Sequence, residues 1–164
     1  MQEHIQNELA SFIANCDWEK IAPHFKEDAA YRVLDWIGCA VAGEHYPQVE
    51  IAQKYFIENG DQGNSTVIGH QTKCSPRTAA FLNGIAGHVC ELDDGHRTAI
   101  GHPGSIAVPT ALALGEHLNA SGADVLKAVI LGYEVFSRLG RTVNPSHYRT
   151  WHTTGTCGTI AAAG

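Results

Sequence analysis

No apolar stretch in this 164-residue chain is long enough to span a bilayer, and no basic stripe runs along any part of it. The formal net charge of −6 and pI near 5.9 fit neither a nucleic-acid nor an anionic-membrane partner, since both favour concentrated Lys and Arg. The opening MQEHIQNELASFIANCDW has acidic and polar residues scattered through it and lacks the basic start and apolar run of a secretory signal, so a cytoplasmic location is expected. Five cysteines, Cys16, Cys39, Cys74, Cys90 and Cys157, are odd in number, widely spaced and without a CxxC pair. That pattern supplies neither a disulfide framework nor a zinc knuckle, and reduced, mostly buried thiols are expected.

What is present is the composition of one globular domain, 44% hydrophobic and 17% charged. Apolar residues recur at helical spacing through most of it. Ile5, Leu9, Phe12 and Ile13 predict a helix over 4–15, and Ala30 to Val41 a second over 27–42 that stops at Gly43. Pro47 starts a third, running toward Asn59-Gly60. Residues 60–74 read as a loop with one strand-like patch, Ser65 to Ile68. Ser75-Pro76 pairs a cap with a proline at the first helical position and opens a helix to about Leu92. Further helices are expected over 105–119, with Pro109 near the start or at a kink, and, led in by Ser121-Gly-Ala-Asp124, over VLKAVILGYEVFSRLGRTV, ending near Arg141 and Asn144-Pro145. Small residues punctuate them and favour close helix approach. The fold class is therefore all-α, a multi-helix bundle. The final Ile160-Ala-Ala-Ala163-Gly164 reads as the opening turn of an apolar helix, so 1–164 is expected to be a single partial helical domain of a longer fold.

The chemistry concentrates in ELDDGHRTAIGHPGS, residues 91–105. Asp93 and Asp94 are consecutive and so face different directions; Asp-Asp-Gly reads equally as a simple turn. His96 and His102 can exchange protons near neutrality, and the carboxylates would stabilise their cationic form. His102 precedes Pro103, which excludes it from the helix and leaves it at a junction beside free N–H groups that attract anions. Arg97 adds a cation. Asp94, His96 and His102 could be read as metal ligands, but their spacing matches no recurring zinc pattern. A second group, His147, Arg149 and His152, precedes Thr153, Thr154, Gly155 and Thr156, whose hydroxyls and N–H groups at a helix start resemble an anion cradle. The alternative is an ordinary capped helix. Cys157 has no identifiable base and reads as a small buried thiol.

The order of LDWIGCAVAG, AAFLNGIAGHVCELDDGH, HPGSIAVPTALALGE, LKAVILGYEVFSRLG and HTTGTCGTIAAAG resembles the N-terminal part of the MmgE/PrpD family, which includes 2-methylcitrate dehydratase, cis-aconitate decarboxylase and iminodisuccinate epimerase. The resemblance implies a large helical domain built from both ends of a longer chain, a smaller lid domain absent here, and a homodimer or a complementing C-terminal half as partner. It implies catalysis without metal or other cofactor on small polycarboxylates, through a carbanion next to a carboxylate. On that resemblance Asp93, His102 and His152 are the catalytic candidates. Asp94, His96, Arg97, Thr98 and Thr153 are the candidates for substrate binding. The family's catalytic lysine and lid tyrosine are expected beyond Gly164. A 2-methylcitrate dehydratase-like hydro-lyase is the leading expectation; a cis-aconitate decarboxylase-like or epimerase-like member, a non-catalytic helical module and a metal-dependent hydrolase are the alternatives.

Overall fold

A computed structural model describes residues 4–71 and 73–164. Seven α-helices account for the architecture of the described residues: α1 (Ile5–Ala14), α2 (Pro23–Gly43), α3 (Pro47–Glu58), α4 (Pro76–His88), α5 (Gly104–Leu118), α6 (Gly122–Val143) and α7 (Thr153–Ala163). Among the described residues no β-strand accompanies them; two isolated bridges, Ser65 to Cys74 and His96 to Gly101, pin loops. The all-α expectation holds. None of these helices is long and apolar enough to cross a membrane.

Local signals set most of the boundaries. Ser75 accepts the Thr78 N–H and Ser121 accepts the Asp124 N–H, each satisfying a donor that a helix start leaves free. Proline at the first turn begins α2, α3 and α4, where its missing N–H costs nothing. Two boundaries differ from expectation. α2 starts at Pro23 rather than 27, and α4 stops at His88 instead of near Leu92. Beyond His88 the chain folds back, with the Glu91 N–H donating to the His88 carbonyl and Glu91 itself at φ 53°.

α5 is the central element, packing on α2, α4, α6 and α7. Its apolar side chains join two buried clusters. One gathers Trp36, Ala40, Val49, Ala86, Val108, Ala111 and Val129; the other has Val67, Cys74, Ala79, Leu82 and Ala113. A third, of Ala99, Val135, Phe136, Cys157 and Ala161, joins α6 to α7 and to the loop before α5. Fully buried Leu82 and Phe136 each contribute about 1.5–3 kcal/mol. The thiols of all five cysteines are free, and burial pushes that of Cys157 above its usual range, in keeping with a packing role.

Close approach of α2 to α4 is what glycine makes possible. A Cβ at Gly43 would collide with the Ala86 carbonyl oxygen and stand 2.8 Å from Val89 Cγ1, whereas a Cβ at Gly38 in the same helix meets nothing within 4 Å. Opposite outcomes are expected for one chemical change. Gly38→Ala should stabilise by roughly 1 kcal/mol through helix propensity. Gly43→Ala should destabilise by about 1–3 kcal/mol, because two backbones must separate. Urea unfolding of both variants against the parent measures the contrast.

Candidate functional site

The early end of α4 brings His88 back over the loop that follows it. Asp93, whose side chain is 1% exposed, lies there with His88 Nδ1 at 3.0 and 3.1 Å from its two oxygens. His102, at the other end of the loop, places its buried Nδ1 3.4 Å from Asp93 Oδ2, close enough for an ion pair though outside hydrogen-bond geometry. The two rings meet edge to face with centroids 4.8 Å apart. A single buried carboxylate thus serves two imidazoles. Removing a carboxylate from water is costly unless its charge is matched, and here one imidazole hydrogen-bonds it while a second lies within ion-pair distance.

His102 is held from the far side as well. Its backbone N–H donates to Thr154 Oγ1 at 3.0 Å, and its carbonyl accepts from Ser105 Oγ, tying the start of α5 to the start of α7. His88, Ser105 and Thr154 border a 470 Å³ cleft that also exposes Phe81, Ile106 and Thr110. His152 lies two residues before Thr154, at the residue preceding α7; it is exposed and forms no hydrogen bond, ion pair or ring contact with Asp93 or His102. Thr153 is fully buried and turned toward Asn144, whose side-chain amide donates to its hydroxyl at 3.1 Å. In the expected cradle, then, Thr154 approaches His102, Thr153 faces inward, and Thr156 pairs with His147 Nε2 at 2.6 Å.

Asp94 faces the opposite way from Asp93, as expected for consecutive residues. Arg32 Nη1 donates to its Oδ2 at 2.9 Å and the Gly104 N–H to its Oδ1 at 3.1 Å. A Cβ at Gly104 would lie 2.6 Å from that oxygen and 2.7 Å from the Tyr133 hydroxyl, so the first residue of α5 has no room for a side chain. Arg32 also stacks over Tyr133, 5.0 Å from the ring centroid. This network floors a second cleft, of 380 Å³, to which His96, Arg97 and Thr98 contribute. His96 is partly committed: its Nδ1 accepts the Ala99 N–H at 3.1 Å, and its backbone pairs with Gly101 to close the turn. Arg97 and Thr98 are exposed at the rim.

The trio Asp94, His96 and His102 does not come together. Among the described residues, the cluster with metal-ligand potential is His88, Glu91 and His102. Sequence reasoning passed over His88, Arg32 and Tyr133. For His88 a signal existed, a histidine five residues before an aspartate across a helix end; for Arg32, 62 residues from Asp94, no local spacing could have supplied one.

Residues 7–164 match the MmgE/PrpD N-terminal domain. The chain belongs to the MmgE/PrpD family. Similar curated proteins include a cis-aconitate decarboxylase-like protein, oryM, of Aspergillus oryzae, 31% identical over 98% of this chain and 35% of its own length. Cis-aconitate decarboxylase of Aspergillus terreus is 31% identical over 97% of this chain and 33% of its own length. The human cis-aconitate decarboxylase is 33% identical over 80% and 29%. The chain spans about a third of the length of these relatives. In this MmgE/PrpD chain the loop between α4 and α5 carries both aspartates: Asp94 lines the 380 Å³ cleft, and Asp93 lies behind His88, which borders the 470 Å³ cleft.

Burial, then the Asp94 charge and its hydrogen bond, hold the Tyr133 hydroxyl well above the usual phenol range, with Arg32 pulling the other way. A raised folded-state value means the unfolded chain loses the proton first. The stabilisation is therefore complete below about pH 10 and is lost as pH rises further. Denaturant titrations at stepped alkaline pH should show stability falling less steeply in Tyr133→Phe than in the parent. Phenolate absorbance should leave one tyrosine silent until the parent unfolds.

Proposed function

We propose that this chain supplies one wall of the active site of a lyase that acts on small polycarboxylates without metal, and that its substrate is cis-aconitate. The observation carrying the proposal is the buried Asp93 carboxylate placed against His88 and His102 at the junction where α5 begins. Decarboxylation of an unsaturated tricarboxylate breaks the C–C bond to the departing carboxylate. The electron pair shifts through the neighbouring double bond, and the carbon at its far end takes up a proton. Such a reaction requires a proton donor at carbon and cationic or N–H groups around the remaining carboxylates. His102, oriented by Asp93, is suited to the first task. His152, Arg97, Thr98 and the turn around His96 are suited to the second, with Asp94 fixing the loop through Arg32 and the Gly104 N–H and Thr153 fixing the start of α7 through Asn144.

The names of the similar proteins favour decarboxylation over the dehydration of 2-methylcitrate, although both chemistries move a proton next to a carboxylate and could use the same histidine. As the family resemblance implies, the working unit is a homodimer in which the remaining two thirds of the fold completes the cleft. Exposed Leu34, Val41, Trp151 and Ile160 offer apolar surface for such contacts.

With the remainder of the fold supplied on the same or a second polypeptide, cis-aconitate should be consumed with release of one CO₂ per turnover, and 2-methylcitrate should be a poor substrate. His102→Ala and Asp93→Asn should each lower kcat by about 10²–10⁴-fold, the usual scale for losing a positioned proton-transfer group. Circular dichroism should show their helix content unchanged. Parent-like turnover in His102→Ala, or faster water loss from 2-methylcitrate than CO₂ release from cis-aconitate, would refute the respective part of the proposal.

A further inference from the structure

The arrangement of Asp93 does more than orient a proton donor. By hydrogen-bonding His88 Nδ1 and lying 3.4 Å from His102 Nδ1 at ion-pair distance, it favours in both rings the tautomer in which Nδ1 carries the hydrogen and Nε2 presents a lone pair. A carboxylate behind an imidazole is also the recurring support of a histidine that binds a metal through its other nitrogen. Glu91 completes the geometry. One ligand atom from each of His88, Glu91 and His102 lies within 4.8 Å of the others. His88 Nε2 is 3.5 Å from Glu91 Oε1, matching the separation of about 3.3–3.5 Å between two ligands that each sit about 2.0–2.1 Å from a tetrahedral zinc. Glu91 reaches this place with a φ of 53°, a left-handed conformation that glycine or asparagine would adopt more easily.

We propose that His88 Nε2, Glu91 and His102 Nε2 bind one divalent cation of the zinc type, with Asp93 holding both rings from behind and water free to take the fourth position. Two imidazoles and one carboxylate select zinc over magnesium or calcium, which prefer all-oxygen sites. With up to 4.8 Å between ligand atoms, the three side chains draw together on binding. The site has a consequence for activity that rests on the proposed function: the cation takes up the histidine assigned to proton transfer, so it inhibits.

Calorimetric titration of zinc chloride into the reduced, metal-free chain tests the site without any need for turnover. The expected result is one equivalent bound. Glu91→Gln, altered at a side chain 71% exposed and thus without risk to folding, should weaken affinity tenfold or more. His88→Ala should do the same, and Asp93→Asn should weaken it about 10–100-fold as a residue acting through the ligands. Cys90→Ser should leave it unchanged. No saturable binding, unaltered affinity in Glu91→Gln, or loss of binding in Cys90→Ser would each overturn the site. In the complemented enzyme, zinc should inhibit the parent but spare Glu91→Gln, whose metal-free turnover stays at the parent's level; equal inhibition of both would place the inhibitory zinc elsewhere. An enzyme with no activity on cis-aconitate would count against the proposed function and leave the calorimetric result standing.

Discussion

A buried carboxylate shared by two imidazoles is the constraint around which this end of the bundle is organised. Asp93 is removed from water almost completely, which would be prohibitive for an isolated charge, and its oxygens face His88 and His102 instead. For this to happen, α4 must end at His88, the next residues must reverse, and α5 must begin two residues after His102, at Gly104. Each condition is met by a specific local device: Glu91 in a left-handed conformation, the His96 to Gly101 bridge, and a glycine at the start of α5. Because His102 is also tied to Thr154, the position of α7 is coupled to the same carboxylate.

Consecutive aspartates make the loop a divider between two clefts. Asp93 backs His88, which borders the 470 Å³ cleft, while Asp94 anchors the wall of the 380 Å³ cleft through Arg32, Tyr133 and the Gly104 N–H. The second aspartate is thus not a spare copy of the first. It ties the loop to α2 and α6, helices that carry no proposed proton-transfer group, and so links the stability of the bundle to the geometry of the site.

How far the sequence discloses this varies with the range of the interaction. Helix starts were legible because capping is local: Ser75-Pro76, Pro47 and Ser121 each announce themselves within three or four residues. Pro23 carried the same signal ahead of the expected start of α2. The end of α4 was not legible, since no glycine marks it; Glu91 takes the left-handed turn in its place, and the apolar pattern through Val89, Cys90 and Leu92 reads on as helix. His88 was hidden by that misplaced boundary. Asp93 and His102 were legible as a pair only through the family resemblance, since local spacing leaves Asp93 and Asp94 undecided; in the structure Asp93 Oδ2 and His102 Nδ1 lie 3.4 Å apart. The inward turn of Thr153 and the contact of Arg32 with Asp94 depend on packing between distant helices, which no local spacing encodes.

The tautomers of His88 and His102 bear most directly on the shared carboxylate. Imidazole ¹⁵N shifts of the two neutral rings, assigned through His→Gln variants, should show the hydrogen on Nδ1 in both, and the preference should disappear in Asp93→Asn. Neutral rings carrying the hydrogen on Nε2, with shifts indifferent to the Asp93 substitution, would contradict the account.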